Sequence, residues 1–436
     1  MFSKNFQSKT HKFSTITFLC LSFASFAAST GDFKFAPPNF KQGNDNFVFV
    51  DIKSAHYKIV ADFLQKTIQY ESVIEFESKS PGMPILPMPL DSSVWLSSEV
   101  GKLIQITPPT GPSAKLTAIR ANITPGIYQV KILRLSKMEK PSSLDLGFFM
   151  SDLHGPTYLD HYLPSNYLFD QYPADLEFTV VNNGNNEQKF YSNGAITESA
   201  FNHVKIQFPS YFNSSSYYFH TAPSGKYHEE SFEVFSKLSG KDIPVLVYGD
   251  NSTVNFKQFI ETIKSTMEEF ESTYGPWPHP SLLVHAVGMG GMEHSGAVYS
   301  DFGHLKHEIL HSYFGRGVLP GTGEAGWIDE AIATWYDRNY PSRSFGFFHG
   351  KVLPLIDGRS EYDYSSSERY YQEGNAIISH LDNKLKDKGG IRAFLKYFMS
   401  CHNLELIDTE LFLSELNKFS GKDFSNLFKT YVRDPK

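Results

Sequence analysis

The chain has 436 residues, a formal net charge of −7 and 41% hydrophobic residues. That length accommodates two domains or one large one, with enough apolar residues to fill sizeable cores. The mildly acidic balance, with no basic cluster, excludes a nucleic-acid-binding footprint.

The first thirty residues read as a targeting segment rather than as fold. Lys4, Lys9 and Lys12 precede an apolar run from Phe13 to Ala28, and Ala27, Ala28 and Ser29 offer a signal-peptidase site. Serine and threonine interrupt that run, leaving it short of the roughly twenty strongly apolar residues of a membrane-spanning helix. Cys20 is a poor lipoprotein cysteine because bulky Leu19 precedes it. Cleavage near Ser29 removes three lysines, takes the formal charge from −7 to −10 and leaves Cys401 as the one cysteine. Export, to a periplasm or the medium, then brings no internal disulfide and no stable membrane insertion. Sequons at Asn122, Asn213 and Asn251 matter only in a glycosylating host.

From about Asp32 to His228 the pattern is strand-like. His56–Ala61, Ser72–Glu77 and Ile127–Ile132 mix alternation with β-branched or aromatic residues, and Ser80-Pro81-Gly82 and Asn183-Gly184 mark turns. An antiparallel β-sandwich over residues 30–235 is the expectation. After roughly residue 240 the pattern changes. Ile243–Tyr248 and Ser281–Val287 read as strands, the second running into a glycine-rich loop. Phe256–Tyr274 reads as a helix, with Phe259, Ile260, Ile263, Met267 and Phe270 at helical spacing. Asn375–Lys386, Ile391–Ser400, Thr409–Lys418 and Phe424–Val432 read as further helices. The whole chain is therefore α+β, with a catalytic domain expected over residues 236–436.

Within that second half, His307, Glu308 and His311 form an H-E-x-x-H run. On a helix, residues four apart share a face, separated by roughly 6 Å of axial rise. Two imidazoles so placed reach one ion at about 2.0–2.1 Å, the usual zinc–nitrogen distance. Leu305, Ile309 and Phe314 supply a buried stripe and Gly315 a helix end. After a gap of eighteen residues from His311, Glu330 follows within Trp327-Ile328-Asp329-Glu330-Ala331. Its carboxylate, from a second helix, supplies a third ligand and leaves a fourth position for water, the arrangement of a catalytic zinc site. Glu308 projects beside that water and can take its proton.

These residues resemble the aminopeptidase N family of zinc exopeptidases, within the thermolysin-like gluzincins. His307–His311 with Trp327–Ala333 is similar to that family's zinc signature, and Gly290-Gly291-Met292-Glu293-His294 to its Gly-x-Met-Glu-Asn exopeptidase motif. Tyr371-Gln372-Glu373-Gly374 resembles its Tyr-x-x-Gly segment, Phe169-Asp170-Gln171-Tyr172-Pro173 its Phe-Asp-Glu-Pro stretch, and Gly421-Lys422-Asp423-Phe424 the close of its catalytic domain. The likeness covers most of residues 150–436 and is most specific between Gly288 and Ala333. It implies a thermolysin-like domain after the sandwich, one zinc ion and a peptide substrate.

By this resemblance Glu293 holds the substrate's free α-ammonium, beside Gly290, Gly291 and Met292 in the same loop. The two glycines permit close backbone approach, and the strand near Ala297-Val298-Tyr299 pairs with the peptide. Tyr371, with Tyr370 as the competing register, donates a hydrogen bond to the developing oxyanion. Glu308 acts as general base and returns the proton to the leaving amine. Asp329 and Glu324 are candidates for orienting a ligand imidazole, whereas His304 has a packing or surface role.

The sequence departs from the family in three places. His294 stands where the motif has Asn, a substitution that also resembles the glycyl aminopeptidases. The family's amine-binding Gln or Glu of the β-domain has no clear counterpart near Pro156–His161, where Asp160 is the substitute. The chain stops where the family's large C-terminal helical domain would begin, which implies a short form with a more open cleft. A zinc endopeptidase, a glycyl-type aminopeptidase and a catalytically silent binding protein of the same fold are the alternatives.

Overall fold

Alternating apolar residues build the first half. In the computed structural model, which describes residues 32–97, 99–110, 115–139, 144–148, 159–344, 354–356, 360–362 and 367–433, three twelve-residue strands run in register. They are Asp51–Asp62, Thr67–Ser78 and Gly126–Lys137, and they contain the three strand segments that alternation singles out. The targeting segment lies outside the described residues.

These strands form the centre of an eight-stranded sheet. Ile59, Ile74, Phe76 and Val130 fill its inner face, packing with Phe148 and Phe219 of a neighbouring three-stranded sheet. The sheet is not purely antiparallel. Ala174–Val181 lies parallel to Asp51–Asp62, pairing Ala174 with Ala55. Side-chain alternation is the same in both strand directions, so the local pattern carries no sign of this long-range partner. Of the three sequons, Asn213 is buried and spent internally, donating to Leu168 O at 3.1 Å and accepting from Ser215 Oγ at 2.9 Å. Asn122 and Asn251 are exposed.

The second half is a five-stranded sheet in the order His228–Ser236, Lys241–Gly249, Leu282–Ala286, Ala297–Ser300, Gly291–His294. Its first hairpin pairs Ser236 with Lys241 and so straddles the boundary expected at residues 235/236. Helix α1 (Phe256–Tyr274) packs beside it. Asn255 caps its start by accepting from Gln258 N at 3.2 Å, and Phe259, Ile263, Met267 and Phe270 are buried. Helices α2 (Leu305–His311) and α3 (Trp327–Asp337) follow. A π-helical turn, Tyr370–Gly374, then leads into α4 (Asn375–Lys384), followed by α5 (Gly390–His402), α6 (Thr409–Ser420) and α7 (Ser425–Tyr431). One continuous core runs from Val245 through Trp327 and Trp335 to Phe428. Gln171 of the first half ties to this one through its side-chain amide, which donates to Leu404 O at 3.2 Å. Among the described residues no helix is long and apolar enough to cross a membrane.

One expectation about the sheet is corrected. Ala297–Ser300, proposed to pair with substrate, has a neighbour on each side and offers no free edge. Gly291–His294 is the edge strand, because the chain turns back at Gly296 and lays it outside.

Candidate active site

Helix α2 is short but firmly placed. Asp301 accepts from His304 N at 3.0 Å at its start, and its other oxygen accepts from Gly290 N at 2.9 Å. One carboxylate thereby clamps the glycine loop to the helix, and the Gly290 N–H is spent on Asp301 rather than on a ligand. His304, exposed, pairs with the same Asp301 at 2.9 Å, outside the site.

Helix α2 presents His307, Glu308 and His311 toward α3, which supplies Glu330. Glu330 Oε2 lies 3.6 Å from His307 Nε2 and 3.7 Å from His311 Nε2. That oxygen is buried and makes no hydrogen bond. Four donors set tetrahedrally about 2.1 Å from an ion lie roughly 3.4 Å from one another, close to these separations. Two imidazole nitrogens and a carboxylate suit zinc.

The far side of each imidazole is held by a carboxylate. His307 Nδ1 pairs with Asp337 Oδ2 at 2.7 Å, and His311 Nδ1 with Asp329 Oδ1. Nδ1–H donation to these acids leaves both Nε2 lone pairs facing Glu330. Burial disfavours a charged His307, but Asp337 and Glu330 outweigh it and hold its pKa up at about 10. Burial likewise opposes protonation of His311, yet Asp329 and Glu293 raise it well above the ordinary value. The surrounding field favours positive charge at this point, whether carried by protons or by a metal.

Glu308 is buried, its Oε2 without a hydrogen-bond partner. Burial, and then the Glu293 carboxylate, push it up to about 8. Its Oε1 lies against Gly291, where a Cβ would meet it at 2.0 Å. Donor atoms of Glu293, Glu308 and His311 come within 4.8 Å of one another, so the edge strand delivers Glu293 to the same cluster. Met292 is buried and, by strand alternation, faces away from Gly291 and Glu293.

The π-helical turn packs so closely on α3 that a Cβ at Gly374 would meet Ala331 Cβ at 2.8 Å. This closeness brings Tyr371 Oη within 2.5 Å of Glu330 Oε1. Tyr370 turns elsewhere, its hydroxyl 3.5 Å from Gly323 O. Glu324 pairs with Arg433 at 3.4 Å. Asp160 sits in the short helical turn Leu159–His161, where burial pushes it up to about 7. His294 is fully buried, its ring 5.2 Å from that of Tyr218, and burial lowers its pKa to about 3.

Sequence reasoning missed two residues. Asp337 lies seven positions after Glu330, two turns along the same face of α3, so its spacing was a usable signal. Arg316, just past the end of α2, donates from Nη2 to Glu293 Oε1 at 2.6 Å and from Nη1 to Gly315 O at 3.0 Å. Burial alone would raise the Glu293 pKa, but the guanidinium and the His311 imidazole together more than offset this and hold it below the ordinary carboxylate value.

No protein-family model matches the sequence, and a search of curated proteins finds no match. Solved structures do match. The chain is similar to the M1 zinc metallopeptidase of Deinococcus radiodurans, with a TM-score of 0.60 and 14% identity over 88% of this chain and 94% of that one. It is similar to yeast LTA4 hydrolase, with a TM-score of 0.60 and 12% identity over 89% of this chain and 69% of the other. Legionella pneumophila aminopeptidase A, solved with aspartic acid, gives a TM-score of 0.64 and 14% identity over 90% of this chain and 50% of its own. This chain thus spans about half the length of the Legionella protein. The shared feature is the M1 zinc metallopeptidase fold.

Proposed function

We propose that this chain is a zinc-dependent peptidase that removes N-terminal residues from peptides, with one zinc ion held by His307, His311 and Glu330. The observation that carries the reading is the triangle of His307 Nε2, His311 Nε2 and the orphaned Glu330 Oε2, with spacings of 3.6 and 3.7 Å about a buried point. Zinc at such a site polarises a carbonyl and lowers the pKa of water to about 7.

The chain's own residues supply the rest. Glu308, beside His307 in sequence and buried, accepts the proton of the attacking water and returns it to the leaving amine. Tyr371, whose hydroxyl donates to Glu330 Oε1, turns that hydrogen to the oxyanion as charge develops there. Glu293 marks the end of the cleft where the substrate's first residue lodges. The free edge at Gly291–His294 is where the peptide backbone adds as a further strand. A variant of the Deinococcus neighbour was solved with a Tyr-Ser-Ala substrate, which supports a peptide as substrate class. The apolar segment before Ser29 supports export, which mass spectrometry of the mature N-terminus would read directly.

A panel of aminoacyl fluorogenic amides, assayed with and without chelator, tests the activity. Chelation is expected to abolish release and zinc to restore it. Glu308→Gln is expected to keep stoichiometric zinc and lose turnover. Undiminished hydrolysis in the chelator or in that variant would refute the mechanism.

A further inference from the structure

Arg316 stands where it alters what Glu293 can recognise. Its guanidinium is 5% exposed, the Glu293 side chain 6%, and Nη2 donates to Oε1 at 2.6 Å. A second bond, Nη1 to Gly315 O at 3.0 Å, fixes the arginine to the turn that ends α2. The pair is therefore preformed, in a place where water does not screen it.

A lone buried carboxylate attracts an ammonium strongly, because its charge is uncompensated. A carboxylate already bonded to a guanidinium presents a dipole, whose field falls off faster and whose positive end repels the incoming amine. Displacing Arg316 is no remedy, since that would strand a buried guanidinium without its counter-charge. The remaining lone pairs of Glu293 still accept a hydrogen bond, and a neutral amide N–H supplies one as well as an ammonium does.

We propose that Arg316 is the specificity-setting residue of this cleft, removing the advantage of a free α-ammonium so that N-acylated peptides are bound and cleaved comparably to free ones. The inference deepens the peptidase reading and rests on it for the cleavage step. Arg316 acts through Glu293 and is a positioning residue.

The test compares Tyr-Ser-Ala with N-acetyl-Tyr-Ser-Ala. For the wild-type zinc-loaded chain the two kcat/KM values are expected to agree within threefold. Arg316→Gln is expected to raise the free-to-acetylated ratio at least tenfold, mainly through a lower KM for the free peptide. Arg316→Lys, which keeps the counter-charge, should restore the wild-type ratio. A structural role alone would lower both substrates together and leave the ratio unmoved. A wild-type preference of a hundredfold or more for the free peptide, or an unchanged ratio in Arg316→Gln, overturns the proposal. Should Arg316→Gln fail to fold, calorimetry on zinc-loaded Glu308→Gln decides with Arg316 in place. Kd values for the two peptides within threefold support the proposal; a hundredfold preference for the free amine, or binding of neither, overturns it. Binding without cleavage by the wild-type chain would instead sink the hydrolase reading and leave the recognition result standing.

Discussion

The Cα of Gly291 lies against Glu308 so closely that a Cβ built on it would come within 2.0 Å of Oε1 and 2.7 Å of the carboxyl carbon. The edge strand is thus the wall that sets where the proposed general base points. Gly291→Ala must push that carboxylate aside, and a displacement of about 1 Å in a catalytic group costs roughly a hundredfold. We expect kcat to fall by about that factor while zinc content stays at one per chain. Wild-type kcat in the alanine variant would show that the carboxylate has room to spare.

Gly315 does the same for a proposed metal ligand. Its φ is +116°, and a Cβ there would meet both carboxylate oxygens of Asp329 at 2.4 Å. Asp329 holds His311 through Nδ1. Gly315→Ala therefore strikes the imidazole's partner as well as straining the backbone. Loss of such a partner typically costs about 10–100-fold in metal affinity, and competition against a chelator should show a weakening of that size. Asp329→Asn should weaken zinc in the same direction. Wild-type affinity in both variants would detach Asp329 from the metal site.

Tyr371 reaches Glu330 Oε1 with its hydroxyl at 2.5 Å, which places the phenol beside the proposed metal site. Removing one oxyanion donor costs about 10²–10³ in kcat. Tyr371→Phe is expected to lose activity on that scale with KM little changed, whereas Tyr370→Phe, whose hydroxyl points at Gly323 O, should not. Equal losses in the two variants would reassign the role.

The parts of this arrangement that a reader of the sequence can see are those carried by short-range spacing. His307 and His311 share a face because four residues make about one turn. The helix at Phe256–Tyr274 is legible because Phe259, Ile263, Met267 and Phe270 repeat at its period. What escapes is whatever depends on two segments meeting. Arg316 reads as an ordinary turn residue until the strand carrying Glu293, twenty-three positions earlier, is laid beside it. The strand at Ala297–Ser300 reads as a docking edge until Gly291–His294 folds outside it. Ala174–Val181 meets Asp51–Asp62 across about 120 positions, with nothing local to betray a parallel partner.

Glu271, on the buried face of α1, ties the first hairpin of the catalytic-half sheet to the helix. Its Oε1 accepts from Leu238 N at 2.9 Å and from Ser236 Oγ, and its Oε2 from Lys237 N at 3.1 Å. Glu271→Ala leaves these donors without their acceptor, at a cost of roughly 1–3 kcal/mol. The urea midpoint should drop accordingly with the m-value unchanged. A midpoint equal to that of the wild type would show that water replaces the carboxylate at no cost.

His279 couples stability to acid. It is buried between Ser312 O, 2.9 Å from Nε2, and Tyr211 Oη, 3.2 Å from Nδ1. Burial lowers its pKa to about 3, against an ordinary value of about 6.5. Above pH 6.5 the imidazole is neutral folded and unfolded, and pH has no leverage through it. Below that value the unfolded chain takes up a proton that the folded chain refuses, so stability declines as pH falls and levels off only near pH 3. Each such group contributes a slope of up to about 1.4 kcal/mol per pH unit. His285, lowered to about 3 by burial and then by His220, acts in the same sense. The difference in urea midpoint between the wild type and His279→Gln, which isolates this imidazole from the other titrating groups, should therefore be constant from pH 7.5 to 6.5 and narrow from 6.5 to 5. His279→Gln should be less stable at pH 7.5 but have a shallower acid slope, since one of the refused protons is gone. An acid slope as steep in that variant as in the wild type would place the sensitivity in other groups.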